Sequence, residues 1–160
     1  MLQSGFTLME LVIVIVALGI LSAYAIVKSV SVPDATLLSQ AEKMANDIRH
    51  AQTLAYTSGK SLKLVIATGV NGAYSVCLST TTTCNASSAV TDTATGSSFS
   101  VSLQKGVSLS GTATLNFDSW GQPGAAASYT LSIPPSTSGE TICVAALTGQ
   151  ISVQTSTTCS

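Results

Sequence analysis

The sequence predicts an α+β fold: a long, kinked N-terminal α-helix, half transmembrane and half amphipathic, packed on an antiparallel β-sheet or a two-sheet C-terminal domain. Three observations predict it. From Phe6 to Val27 the chain is apolar except for one charge, Glu10. From Leu37 to Ala55 apolar residues recur at steps of four and three. After Gly59 the apolar period changes to two, and Gly, Pro and Asn separate short strands.

The first element is the 22-residue run from Phe6 to Val27. As a helix it would extend roughly 33 Å, about the thickness of a bilayer's hydrocarbon core. A cleavable secretory signal would need a basic start and a shorter apolar stretch, whereas MLQSG holds no Lys or Arg. A plain membrane anchor, with Lys28 at the interface, accounts for the apolar run and leaves Glu10 without a reason. An acid in lipid costs roughly 2.5 to 3.5 kcal/mol even on an insertion scale, so Glu10 is expected to meet a partner of opposite charge.

The second element follows Val27. Pro33 suits a first helical turn or a kink, and Asp34 or Thr36 could cap a fresh start. Leu37, Ala41, Met44, Ile48, Ala51 and Ala55 fall on one face, while Gln40, Glu42, Lys43, Asn46, Asp47 and Arg49 fall largely on the other. The expected amphipathic helix covers residues 34–58 and stops at Gly59. His50, the single histidine, is read as an exposed surface residue, because neither a nucleophile nor a second ligand stands at a recognisable spacing.

The β domain is expected over residues 60–160. Leu62, Leu64 and Ile66 alternate, Asn71-Gly72 signals a hairpin turn, and Tyr74, Val76 and Leu78 return. A Ser/Thr-rich loop, 79–98, precedes further short strands beginning near Phe99, Val107, Thr112, Ser128, Thr141 and Gln150. Gly121 to Gly124 and Pro134-Pro135 mark turns between them. Trp120 is either a half-buried core aromatic or an exposed contact.

Composition narrows the function. Only 8% of residues are Asp, Glu, Lys or Arg and the net charge is -1, so no field attracts a polyanion. Cys77, Cys84, Cys143 and Cys159 all follow the apolar segment, which favours disulfides in an oxidising compartment. Their spacings and the single His do not suit zinc. Of three possible connectivities the local one, Cys77 to Cys84 and Cys143 to Cys159, is expected from nearness in sequence. No cofactor, no metal and no catalytic residue is expected.

The segment Gly5-Phe6-Thr7-Leu8-Met9-Glu10-Leu11-Val12 resembles the processing signature of type IV pilins and pseudopilins at every defining position. The resemblance implies a prepilin leader, 1–5, an assembly helix, 6–31, and a globular head, 32–160. It implies that prepilin peptidase cuts between Gly5 and Phe6 and methylates the amino group of Phe6. Cleavage would create a cation four residues before Glu10, and opposite charges in a low-dielectric setting attract strongly. Glu10 of an incoming subunit would meet that amine on a neighbour and set axial register. The leader departs from the family pattern in lacking Lys and Arg.

Asp47, Arg49, Ala51 and Ala55, the Phe117 to Pro123 turn, and the stretch Ile142 to Val153 with its Thr148-Gly149 turn look like the H-type pseudopilins and FimT-like minor pilins within that family. The implied function is a structural subunit, not an enzyme, of a type IV pilus or type II secretion pseudopilus, expected to be a minor, initiating or tip component. A major pilin of the shaft is the alternative, and a minor pilin with an adhesin or DNA-binding role is a third. DNA is not expected as a partner, because no Lys or Arg follows Lys105. Implied partners are other pilin or pseudopilin subunits, the peptidase, the inner-membrane assembly platform and the membrane itself through residues 6–27. The implied location is the inner membrane, single-pass with the head in the periplasm, and then a periplasmic or extracellular filament.

Overall fold

The computed structural model describes residues 8–28, 32–136 and 138–159. They fall into two compact units, divided between Asp34 and Ala35.

In the first unit α1, Leu8–Lys28, is a 21-residue helix with Glu10 in its first turn. Side chains are described for its residues 8–19, and all twelve are exposed, Leu8 at 81% and Ile13 at 62% among them. Among the described residues no helix is long and apolar enough to cross a membrane. Whether the two helices run on through the kink expected at Pro33 turns on residues 29–31, which lie outside the described residues.

The second helix, α2, is Val32–Ser58, with Pro33 in its first turn, where a missing N–H costs no helical bond. Leu37, Ala41, Met44, Ile48, Ala51 and Ala55 are buried as their spacing predicts, and Ala45 joins them. Four of these seven are alanines, so the helix backbone can sit close to what it covers. Thr53, Thr57 and Ser58 turn their hydroxyls back onto carbonyls of the preceding turn. At Gly59 the backbone turns left-handed (φ 63) and the Lys60 N–H closes on the Ala55 carbonyl at 3.3 Å, ending the helix.

Nine strands follow: β1 Leu62–Ala67, β2 Gly69–Val70, β3 Ala73–Leu78, β4 Ser100–Ser102, β5 Ser108–Gly111, β6 Thr114–Phe117, β7 Ala127–Ser132, β8 Gly139–Val144 and β9 Ile151–Gln154. They make two antiparallel sheets, one in the order β4-β3-β1-β6 and one in the order β2-β5-β7-β8-β9. Of the two architectures the sequence allows, the two-sheet one forms. The buried face of α2 and the inward residues of both sheets share one core, in which Tyr74, Tyr129, Phe117, Met44 and Ile48 are among the largest side chains.

The Asn71-Gly72 signal produces a different turn from the tight hairpin expected. Pairing of β1 with β3 ends at Ala67↔Ala73, which leaves residues 68–72 as the connection. Within it β2 leaves its own hairpin and pairs with β5, Gly69↔Leu109 and Val70↔Ser108. Asn71 takes φ 59, donates its N–H to Val107 O at 2.9 Å and accepts the Gly106 N–H on Oδ1 at 2.8 Å. Its left-handed geometry therefore stitches the first sheet to the second.

Candidate functional site

Of the residues implied in processing and assembly, Gly5 and Phe6 lie outside the described residues. Glu10 is described, exposed, in the first turn of α1, where the partial positive charge of a helix start favours a carboxylate. Around and beyond it stand Leu8, Met9, Leu11, Val12, Ile13 and Val14, all apolar and all exposed. A helix with apolar side chains on every side has no polar face to offer water and must bury itself in lipid or among other helices.

In the head the cysteines are joined as Cys77–Cys84 and Cys143–Cys159, each with Cα atoms 5.8 Å apart. The first bond roots the 79–98 loop on β3, and the second ties the C-terminal stretch to β8. Among the described residues no cysteine is free.

Polar side chains on α2 serve as fasteners. His50 is half-buried rather than the exposed residue the sequence suggests: Nε2 lies 2.9 Å from Asp92 Oδ1, and its ring packs at 45° on Phe99 with centroids 5.4 Å apart. Asp92 also accepts the Ala94 N–H and the Thr95 hydroxyl, each at 2.8 Å. Those two bonds first, and then His50, hold its carboxyl below the usual carboxylate range. The loop is thereby pinned to the helix across 42 residues of sequence.

Asp47, expected on the outward side of α2, is half-buried instead and accepts from Tyr74 Oη at 2.6 Å and from Lys43 Nζ at 2.9 Å. Burial, and then that bond, push the Tyr74 hydroxyl far above its ordinary value. Arg49 donates to Asn46 Oδ1 and to the carbonyl of Ile151, fastening α2 to β9. Three of these bonds, Asp47 to Tyr74, His50 to Asp92 and Arg49 to Ile151, join partners far apart in sequence, a relation that periodicity does not carry. Among the described residues no three His, Cys, Asp or Glu side chains converge as a metal site would require.

Between β6 and β7 a turn is locked in place. Asp118 Oδ1 accepts the N–H groups of Trp120 at 2.9 Å and Gln122 at 2.8 Å, and Phe117 bridges to Pro123. Gly121, at φ 75, lies so near α2 that a Cβ there would stand 2.5 Å from the Gln52 carbonyl oxygen, so the position requires glycine. Trp120 is the exposed contact of the two alternatives, 71% accessible. Beside it the β8 to β9 turn reaches Gln52 too, whose Nε2 donates to Gly149 O at 3.0 Å.

Comparison with known proteins adds two family models and solved structures of two proteins. A model described as type II transport protein GspH matches residues 40–149. One described as the prokaryotic N-terminal methylation motif matches residues 1–26. No curated protein matches the chain. The minor pseudopilin EpsH from the type 2 secretion system of Vibrio cholerae superposes with a TM-score of 0.58 at 11% identity, covering 74% of this chain and 96% of that one. The type IV minor pilin FimU of Pseudomonas aeruginosa strain PAO1 gives 0.50 at 12% identity, covering 74% and 87%. At such identities the shared property is the fold.

Proposed function

The chain belongs to the GspH family of type II transport proteins, and on that premise we propose that it is processed at Gly5-Phe6, stored in the inner membrane through residues 6–27, and drawn into a filament as a minor subunit. Pilins and pseudopilins are structural subunits, not enzymes, and they assemble with other pilin subunits into a type II secretion pseudopilus or a type IV pilus. The observation that carries the proposal is the order of parts: a methylation motif over 1–26 runs into a helix whose described apolar side chains are all exposed, ahead of a GspH head.

Physical chemistry supports each step. Cleavage after Gly5 would leave a cationic amine on Phe6 at the edge of the apolar segment. A carboxylate at Glu10 and an amine on a neighbouring subunit attract more strongly in lipid than in water, and a misaligned pair leaves both charges desolvated. Such a pair discriminates between axial registers. The peptidase and the assembly platform are the remaining partners of this reading. The intact mass of the chain recovered from its own host tests it. Loss of residues 1–5 with gain of one methyl group is expected, and an unprocessed chain in the filament fraction would sink the proposal.

The DNA-binding alternative has little support. With Lys and Arg absent after Lys105, the C-terminal stretch has nothing to neutralise phosphates.

A further inference from the structure

The chain has four asparagines, Asn46, Asn71, Asn85 and Asn116, and only Asn85 stands in the pattern Asn-x-Ser/Thr with x other than proline, as Asn85-Ala86-Ser87. That pattern is the acceptor for transfer of an oligosaccharide to an asparagine side chain on the surface of an exported protein. The transfer needs the amide and the hydroxyl two residues on to be offered together. In a stretch as rich in Ser and Thr as 79–98 the letters alone carry little weight, and what decides is where the two groups stand.

Asn85, Ala86 and Ser87 are all exposed, on a turn directly after Cys84, whose bond to Cys77 anchors the stretch to β3. Asn85 Oδ1 accepts the Ser87 hydroxyl at 2.7 Å and the N–H groups of Ser87 at 3.0 Å and Ser88 at 3.1 Å. The Ser88 hydroxyl also reaches Oδ1, at 3.1 Å. Every bond to the side chain thus falls on its oxygen, and among the described residues Nδ2 makes none. The nitrogen is left open to solvent beside the hydroxyl that completes the pattern. Donors on Oδ1 draw electron density out of the amide, which makes its N–H easier to deprotonate as a new bond forms. The turn is steadied from the far side of the loop by Ser98, whose hydroxyl donates to the Ala86 carbonyl. These bonds lie at the surface, where water or an enzyme's own groups replace them at little cost, so the turn can be lifted into an active site.

We propose that Asn85 is an N-glycosylation site that takes its sugar from a polyprenyl-diphosphate-linked oligosaccharide. This rests on one part of the reading above, that the head is carried across the inner membrane, and does not require the filament. Asn85 Nδ2 bonds to the anomeric carbon of the first sugar, and the bond from that carbon to the diphosphate oxygen breaks. Polyprenyl diphosphate leaves with the electron pair, and the amide gives up one proton. The two disulfides place the head where such transfers occur, in an oxidising compartment. A glycan there displaces no fastener of the fold: Asp92, the single charged residue of 79–98, keeps its bonds to His50, Ala94 and Thr95.

The test is mass spectrometry of the full chain recovered from its own host. Trypsin releases residues 64–105 as one peptide, because no Lys or Arg lies between Lys63 and Lys105, and that peptide carries both Asn85 and the Cys77–Cys84 pair. The expected result is a peptide heavier by an oligosaccharide, with fragmentation placing the added mass on Asn85. Asn85→Gln and Ser87→Ala should each abolish it. Ser88→Ala, which alters the turn without altering the pattern, should keep it, and circular dichroism checks that the three variants fold. A bare Asn85 in a peptide whose disulfide is intact overturns the site and leaves export of the head standing. A sugar that survives Asn85→Gln, and so sits on a serine or threonine, does the same. A bare Asn85 beside two free thiols overturns the site and the export together.

Discussion

Tyr74 Oη and Asp47 Oδ2 meet at 2.6 Å, which joins the start of β3 to the middle of α2 at the edge of the apolar core. The second large buried tyrosine, Tyr129 on β7, has a hydroxyl without a hydrogen-bond partner among the described residues. Burial alone raises its hydroxyl well above the ordinary value. The two phenols sit in one core and differ in that single respect.

Their removal should therefore act in opposite directions. Tyr74→Phe leaves Asp47 with Lys43 alone and is expected to cost about 1–2 kcal/mol in urea unfolding. Tyr129→Phe removes an unsatisfied group and should be neutral or raise stability by up to about 1 kcal/mol. Equal losses for both variants would show that the Asp47 bond adds nothing.

The Asp92 carboxyl sits below its ordinary range in the folded chain, so its contribution to stability is complete above the unfolded value, about 3.9. It disappears as pH falls through the lower folded value. Followed from pH 5 downward, the amide resonance of Ala94, which donates to Asp92, should hold its position to about 4 and move only below that. In Asp92→Asn the same resonance should not titrate. Movement of the wild-type resonance near neutrality would assign the loop's pH response to another group.

Loss of the two disulfides should differ in size. In the chain-entropy picture the bond closing 16 residues between Cys143 and Cys159 is worth about 3 kcal/mol and the one closing 7 between Cys77 and Cys84 about 2. Paired Cys→Ala variants compared by denaturant midpoint check the order. Fully buried Cys77 adds a packing loss at its own site, so a larger deficit there would assign the effect to the core instead of the loop.

Glu10→Ala should leave cleavage and methylation intact and remove the chain from filaments, read by intact mass and by immunoblot of the filament fraction. Glu10→Gln, which keeps the shape and deletes the charge, should behave as Glu10→Ala does. Normal incorporation of both variants would end the register argument.

Much of the architecture was legible because it rests on local pattern. The six apolar positions from Leu37 to Ala55 mark the buried face of α2, and the alternation from Leu62 to Leu78 marks β1 and β3. Gly59 marks the helix stop. What escaped is long-range. Nothing in Ser/Thr-rich 79–98 singles out Asp92 as the partner of His50, since their meeting depends on how the loop folds back. The sequence favours a core place for Trp120 over an exposed one, and the structure reverses that, because the bonds of Asp118 and the seat of Gly121 on Gln52 decide its direction. At Asn71-Gly72 the turn chemistry was visible, whereas its capture by β5, whose pairing partners Ser108 and Leu109 lie nearly forty residues on, was not.

That stitch gives the head a mechanical property. Gly69 and Val70 follow a strand of one sheet directly, yet their rungs belong to the other, so the covalent chain and the hydrogen-bond ladder cross between layers at one point. A force that slides the layers past each other must break ladder bonds at β2 before the apolar packing yields. In a subunit pulled by its neighbours, this clasp resists shear, and a wedge at Val70 is the place to weaken it.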